Sequence, residues 1–406
     1  MDLHSLHRQL RCSYLYSFVL TLNITGAVWV ALLAARGYSL WQIGAAEGVF
    51  HVVSLLAEVP SGMAADLLGR RRVLALSGVA AALSGLLMAF ERNFLWVCMA
   101  MGLSALAYNL VSGTQEALLY DSLKEADQTD RFFHVQTVTT QVETAGAALG
   151  KLAGALTGVL SFTGFYLADT AISLLRTAAA MGLREPAVTP EQAARQAAPL
   201  RTLLAGLPAS LRTHVAETAD FLRRSPRVVR YIFAGALIDL PAFLTLMYLQ
   251  QRLTHIGLPT AWLGAVLMLC EVGYPLGCWL GGRLRPRRLG GLYAFCVAGC
   301  GVCTLAMGAA PLAGAIAGGA GFALFGTVWS LHARKRLNDW FPSDQRATLI
   351  SVESMAYSLL MIPASPLTGW IGDMAGSAGA GLVALGLVLL GAAAVSAFLV
   401  LRPAQH

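Results

Sequence analysis

Four polar residues recur along one face of an otherwise apolar stretch that runs from about residue 40 to residue 65. Glu47, His51, Ser54 and Glu58 are separated by four, three and four positions, which is the spacing of one helical face. Most other positions are Ala, Val, Leu, Phe or Gly, so the helix presents a single polar seam. A carboxylate in the hydrocarbon of a bilayer costs at least about 2.5 kcal/mol, so the seam needs a function or partners.

Within this seam, Glu47 and His51 lie one helical turn apart and can act as a coupled pair. We predict that the pair binds substrate or protons. A polar contact from each residue to a neighbouring helix explains the same pattern equally well, and the sequence does not choose between the two.

Two more carboxylates are predicted at mid-depth in the second half of the chain. Asp239 precedes Pro241 by two positions, and Glu271 lies in the middle of the next apolar stretch. The ionisable residues of the apolar stretches are mostly acidic: Glu47, Glu58, Glu116, Glu143, Asp169, Asp239, Glu271 and Glu353, against Lys151 and Arg176. This excess predicts a cavity that carries protons or favours cationic substrates, with Asp239 and Glu271 among the binding residues.

The composition sets the class of protein. The chain has 406 residues, of which 56% are apolar and only 13% are charged, whereas soluble proteins carry roughly 25% charged residues. Windows of about 20 apolar residues predict twelve membrane-spanning helices. Their predicted limits are 12–34, 39–65, 73–91, 94–120, 132–160, 162–183, 228–251, 260–282, 289–309, 310–333, 347–372 and 378–401. We predict an all-α membrane protein without a cleavable signal sequence.

The net charge of +7 has a topological meaning. If the predicted loops alternate between the two sides, most basic residues fall on one side, including Arg70 to Arg72, the run from 184 to 230 and Arg283 to Arg288. Arg36, Arg92 and Arg252 alone fall on the other. The positive-inside rule therefore predicts cytoplasmic termini and a cytoplasmic central loop.

The second half of the chain echoes the first. Leu156-Thr157-Gly158 matches Leu367-Thr368-Gly369, and Gly113-Thr114 matches Gly326-Thr327. We predict two pseudo-symmetric six-helix bundles, residues 1–184 and 227–406, joined by a cytoplasmic linker over 185–226 that contains an amphipathic helix. Two such halves in one orientation are typical of a parallel-repeat transporter.

The loop after the polar seam carries the most specific motif, Gly62-x-x-x-Asp66-x-x-Gly69-Arg70-Arg71. With it, the chain resembles the major facilitator superfamily over nearly its whole length, and within that family the bacterial drug-exporter-like permeases. The resemblance implies that Asp66 sits at the N-terminus of the eleventh helix and that Arg70 pairs with Asp121 as a gate. It also places the fifth and eighth helices side by side, where Lys151 and Glu271 would form an interdomain pair.

The sequence departs from the family pattern in three places, and the second and third leave proton antiport without two of its usual sequence supports. Leu67 stands where a basic residue is usual, and Asn109 stands where proton-coupled members carry a basic residue in the fourth helix. The fifth helix has a proline-free glycine stripe (Gly146, Gly150, Gly154, Gly158) instead of the antiporter signature, and close helix packing explains that stripe.

We therefore expect a secondary transporter of the bacterial inner membrane that exports small lipophilic or cationic compounds in exchange for protons by alternating access. A metabolite importer or facilitator and a lipid flippase of the same fold are the alternatives. The sequence has no nucleotide-binding loop and no hydrolase or metalloprotease motif, so we expect no enzyme activity, no cofactor and no metal. The expected partners are a small molecule, protons and the bilayer, with no nucleic acid, and the expected state is a monomer.

Overall fold

The computed structural model describes residues 3–186, 223, 226–286, 289–340 and 346–400, and every regular element within them is helical. The first helices are α1 (Leu3–Thr21), α2 (Trp29–Ala35), α3 (Leu40–Leu68), α4 (Arg70–Ala89), α5 (Phe94–Val111), α6 (Thr114–Glu125), α7 (Phe132–Ala153) and α8 (Phe162–Met181). The later ones are α9 (Pro226–His255), α10 (Leu263–Cys270), α11 (Gly273–Arg283), α12 (Leu289–Ala309), α13 (Leu312–Trp340), α14 (Arg346–Met374) and α15 (Ala378–Val400). The predicted all-α class is confirmed.

Seven helical stretches of the described residues are long and apolar enough to cross a membrane. They are Leu40–Ala65, Arg70–Ala89, Phe94–Glu125, Thr260–Arg283, Leu289–Ala309, Leu312–Arg336 and Ala378–Val395. Each coincides with a predicted span. The other five of the twelve predicted spans are not among these seven, so that they cross the membrane stays a prediction. One of these five, around α7, carries Gln136, Gln141, Glu143 and Lys151, which lower its hydropathy.

The predicted first span is not one helix. Helix α1 ends at Thr21 and α2 begins at Trp29, so the prediction of a continuous span over 12–34 was wrong. The Asn23 side chain accepts hydrogen bonds from the Gly26 amide and the Thr25 hydroxyl, both at 2.9 Å. A short polar side chain that bonds to nearby backbone competes with the helix, and this explains the interruption.

The chain divides into two compact units. Unit 1 comprises Met1–Gly26 and Val49–Phe221. Within it α4 packs against α5 and α8, and α1 packs against α7 and α8. Its largest described core cluster includes Tyr16, Leu74 and Leu118, all fully buried.

Unit 2 comprises Ala27–Gly48 and Leu222–His406. Within it α12 packs against α13 and α15, α11 packs against α13, and α9 packs against α14. Helix α2 and the start of α3 belong to this unit because they contact α9 and α14. The predicted division at 184 and 227 assigned these residues to the first bundle. Of the predicted linker over 185–226, only residues 185, 186, 223 and 226 are described, so its amphipathic helix lies outside the described residues.

Glycines permit the closest helix packing in both units. In unit 1 a Cβ on Gly150 would come within 2.9 Å of the Asn23 backbone, so the predicted stripe packs α7 against the end of α1. In unit 2 a Cβ on Gly277 would come within 2.6 Å of the Leu324 carbonyl oxygen, which packs α11 against α13. Gly146 and Gly150 therefore pack as predicted, whereas Gly154 and Gly158 lie beyond the end of α7 in a short 3-10 helix (Gly154–Gly158), where Gly158 is exposed.

Candidate functional site

The motif loop of unit 1 is built around a carboxylate that the sequence did not single out. Helix α3 ends at Leu68, Gly69 adopts a φ of 90°, and α4 begins at Arg70. The Glu185 carboxylate accepts hydrogen bonds from the amides of Arg70 and Arg71, at 2.8 and 2.7 Å. We call this arrangement the α4 cap; an anion is favourable there because the first amides of a helix have no intrahelical partner.

The Arg70 side chain makes the ion pair that the family resemblance implied. Its Nη1 pairs with the Asp121 carboxylate on α6 and donates to the Ala117 carbonyl at 2.7 Å. The Arg71 guanidinium donates to the Met181 carbonyl at 2.6 Å. All of these groups lie within unit 1, so they fix the loop inside that unit, and a gating role for the pair stays a prediction.

The remaining motif positions are placed only by the backbone. Gly62 is exposed within α3, and Asp66 lies in the same helix with its side chain outside the described part of the structure. The predicted contact of Asp66 with the eleventh span is therefore untested.

The polar seam of α3 is buried. Glu47 and His51 are 3% and 4% exposed. The Ser54 hydroxyl donates to the Asn109 side chain at 2.8 Å, and the Asn109 amide donates back to the Ser54 carbonyl at 2.6 Å. The position where a basic residue was expected therefore holds an amide that joins α5 to α3.

Unit 1 also contains a hydrogen-bonded carboxylate on α7. The Gln115 amide donates to the Ser17 hydroxyl at 2.5 Å and to the Glu143 carboxylate at 3.1 Å. Three helices, α1, α6 and α7, therefore meet at this cluster. Lys151 lies on α7, two turns beyond Glu143, and is half-buried.

Of the three carboxylates nominated for binding, Glu47, Asp239 and Glu271, Asp239 in unit 2 is the exposed one. Asp239 is exposed on α9 while its neighbours Ile238 and Leu240 are buried. Arg334 on α13 interacts electrostatically with Asp239 and with Glu353 on α14. Sequence analysis placed Arg334 in a loop beyond its span, whereas α13 continues past it to Trp340.

Glu271 lies at an interruption of the predicted eighth span. Helix α10 ends at Cys270 and α11 begins at Gly273, and Glu271 and Val272 form a two-residue turn between them whose backbone dihedrals stay in the right-handed helical region. The stretch Thr260–Arg283 continues through this turn. Tyr274 lies within electrostatic reach of both Glu271 and Asp239. The predicted pair of Lys151 with Glu271 joins different units and stays a prediction.

A second carboxylate cap lies in unit 2. The Asp373 carboxylate accepts hydrogen bonds from the amides of Leu40 and Trp41, at 2.9 and 2.8 Å, at the start of α3. We call this contact the α3 clamp. Sequence analysis missed Asp373, although one signal was available: an acid in the last turn of its own helix is unfavourable there, which favours a partner elsewhere.

No group of three or more His, Cys, Asp or Glu side chains among the described residues could hold a metal ion. The site residues instead form ion pairs, helix caps and hydrogen bonds at helix ends and interruptions. Apolar helices long enough to cross a membrane, with polar groups at such positions, are typical of multi-pass membrane transporters.

The family follows from comparison with known proteins. The sequence model of the Major Facilitator Superfamily matches residues 12–336, and the chain belongs to this family. It is also 29% identical over 145 residues to an uncharacterized MFS-type transporter, YxaM, of Bacillus subtilis (strain 168). That alignment spans only 35% of this chain and 35% of the relative.

Solved structures share the fold. The nucleoside transporter NupG superposes with a TM-score of 0.71 at 14% identity, covering 97% of this chain and 98% of NupG. A POT family transporter in complex with 5-aminolevulinic acid superposes with a TM-score of 0.71 at 11% identity, covering 98% of this chain and 96% of that one. At such low identity these structures establish the transporter fold and not the cargo.

Proposed function

We propose that the protein is a secondary active transporter that moves a small organic compound by alternating access and couples this movement to protons. The observation that carries the proposal is the exposed Asp239 on α9, with Arg334 and Glu353 in electrostatic contact. A charge in a membrane-spanning helix is tolerated when it faces water or a partner, and such residues mark ion and substrate paths.

We propose Glu47, His51, Asp239 and Glu271 as the groups that bind cargo or protons. Asp66, Arg70 and Asp121 are proposed to gate the path, with Gly62, Gly69 and Arg71 shaping the loop. Two of these assignments gain local support: Asp239 is exposed to solvent, and Glu271 lies at a helix interruption. Lys151 and Glu271 remain proposed partners across the two halves.

Export of lipophilic or cationic compounds across the bacterial inner membrane is the proposed direction and cargo. Its support is the excess of acids over bases in the apolar stretches. A cationic compound would then compete with protons for the same carboxylates, which is the simplest coupling of export to an inward proton gradient.

A second candidate is transport of a zwitterionic metabolite. Arg334 within α13 lies within electrostatic reach of the Asp239 and Glu353 carboxylates, which offers one positive and two negative groups. A compound with both an ammonium and a carboxylate group fits such a set.

The test uses proteoliposomes that contain a pH-sensitive dye and an imposed pH gradient. Tetraphenylphosphonium, uridine and a dipeptide are added in turn as a lipophilic cation, a neutral nucleoside and a zwitterion. We expect proton flux to follow one class, and Asp239→Asn to abolish that flux while the exposed Asp130→Asn leaves it unchanged. Movement of a compound that ignores the pH gradient in the wild type would contradict proton coupling.

A further inference from the structure

We propose that Asp373 is a positioning residue of the transport cycle, whose carboxylate holds the start of α3 against the end of α14 and must release it when this end of the protein opens. The transport part of this inference rests on the proposed function, and the structural part does not. The residue touches neither Asp239 nor the motif loop in any described contact.

The α3 clamp is a bidentate hydrogen-bonded contact. Oδ1 accepts from Leu40 N and Oδ2 accepts from Trp41 N, so each carboxylate oxygen takes one backbone amide. Both amides belong to the first turn of a 29-residue helix and cannot bond within that helix. Asp373 itself stands in the last turn of α14, where its charge does not favour its own helix. The contact therefore serves α3.

The backbones next to the clamp are in direct contact. A Cβ on Gly369 would overlap the carbonyl oxygen of Leu40, and a Cβ on Gly44 would come within 2.5 Å of the Ser365 carbonyl oxygen. The buried Tyr248 hydroxyl donates to that same Ser365 carbonyl at 2.6 Å, which ties α9 to α14 at this level. The clamp thus holds together surfaces that fit only when α3 and α14 are closed on each other.

A second contact holds α2 in the same way. The amide of Val30 donates to the side-chain oxygen of Gln250 on α9 at 3.2 Å, and Gln250 is 1% exposed. The segment 27–48 of the first half is therefore attached to helices of the second half through side chains that grip backbone amides.

Water reaches the clamp, which distinguishes it from a core contact. Asp373 is exposed, and a cavity of about 470 Å³ opens beside it. Polar side chains line part of this cavity: Tyr38, Ser39, Gln251, Thr254, His255 and Asp373. Because water can replace the lost hydrogen bonds, the clamp can break and re-form at modest cost. Breakable contacts of this kind suit an element that must alternate between two states.

The test measures the distance between spin labels on either side of the clamp in the full-length protein. The labels go on Trp41→Cys and Met374→Cys, which are 46% and 73% exposed, in a background without the seven native cysteines. We expect one short distance for the parent. Asp373→Asn should add a longer population, and Asp373→Ala should enlarge that population further, because the amide oxygen still accepts one N–H and the methyl group accepts none.

Glu185→Gln is the matched control, since it removes the same charge from the other cap and should leave the distance unchanged. Identical distributions for the parent, Asp373→Asn and Asp373→Ala would overturn the proposal. If Asp373→Ala does not give monodisperse protein, Asp373→Asn carries the test alone. The distance measurement needs no substrate and no gradient, so its outcome is independent of the transport assay. If Asp373→Asn lengthens the distance but the protein transports nothing, the proposed function is refuted and the α3 clamp is still supported.

Discussion

The α4 cap in unit 1 and the α3 clamp in unit 2 use one chemical device in two settings. In each, a single carboxylate accepts hydrogen bonds from two consecutive amides at the start of a long apolar helix, at 2.7 to 2.9 Å. Glu185 caps α4 from a segment that directly follows α8, which packs along α4. Asp373 reaches α3 across 333 positions of sequence, from the last turn of a helix in the other half of the chain.

The difference lies in what surrounds each carboxylate. Around the α4 cap, Arg70 binds Asp121 and Ala117, and Arg71 binds Met181. Loss of the Glu185 hydrogen bonds alone would therefore leave the start of α4 attached to α6 and α8. The α3 clamp is bordered by an open cavity on one side. The same type of helix-capping contact therefore stabilises a fixed loop in unit 1. In unit 2 it can stabilise the closed one of two arrangements of α3 and α14.

The largest effect is expected where the α3 clamp closes most tightly. Gly369→Ala places a methyl group on the Leu40 carbonyl oxygen, and overpacking of this kind costs about 1–3 kcal/mol. We expect the closed state to be lost and transport to fall strongly while helix content by circular dichroism is kept. Gly391→Ala, with no atom within 4 Å of the new methyl, is the control. Normal transport by Gly369→Ala would show that closure at α3 is not needed.

The next largest effect is expected from the segment after α8, which positions Glu185 at the start of α4. Gln9, 4% exposed, accepts from the Arg184 amide at 2.8 Å and donates to the Arg184 carbonyl at 2.9 Å. Gln9→Met keeps the volume and removes both bonds, together with a third one that Gln9 donates to the Ser122 hydroxyl at 3.1 Å. The partly buried backbone groups of Arg184 lose their partner at a cost of about 2 kcal/mol. We expect a clear fall in the midpoint of heat-induced unfolding in detergent. An unchanged midpoint would mean that the α4 cap does not depend on its backbone support.

A smaller loss is expected from the α4 cap itself. Glu185→Gln removes the charge and leaves one oxygen to serve two amides, which costs about 1 kcal/mol as for other helix caps. Because Gln9 and Glu185 act through one segment, the double variant should lose less than the sum of the single losses. The same unfolding midpoints measure this, and additive losses would show that the two residues stabilise different features.

The sequence predicted those features of the two units that depend on the hydropathy of a segment or on a short motif. The apolar windows gave the seven spans that the structure supports, and the motif resemblance gave the Arg70–Asp121 pair. Helix interruptions were missed, because Asn23 and Glu271 sit inside apolar windows whose mean hydropathy does not register a local break. Tertiary context decides whether a polar residue within such a window ends a helix.

The caps were missed for a different reason. Glu185 lies in a polar run that looked like linker, and Asp373 ends an apolar helix, so neither has a spacing pattern with its partner amides. Backbone amides carry no sequence signature. The single clue for Asp373 was its position against its own helix dipole. Likewise, Arg334 was placed outside its span because a charged residue ends an apolar window before it ends the helix.

The smallest effect should come from the ion pair beside the α4 cap. Arg184 Nη2 lies 2.9 Å from the Glu125 carboxylate, but the Arg184 side chain is 58% exposed. Exposed pairs contribute roughly 0–1 kcal/mol, since water screens the attraction and two flexible side chains lose freedom. Glu125→Gln should therefore shift the unfolding midpoint less than Glu185→Gln, and added salt should shrink that small shift further. A Glu125→Gln loss as large as that of Gln9→Met would mean that side-chain charge, and not the backbone grip, fixes this end of α4. The α4 cap would then depend on side-chain charge and the α3 clamp on backbone hydrogen bonds, so the carboxylate–amide contact that they share would not explain the stability of either.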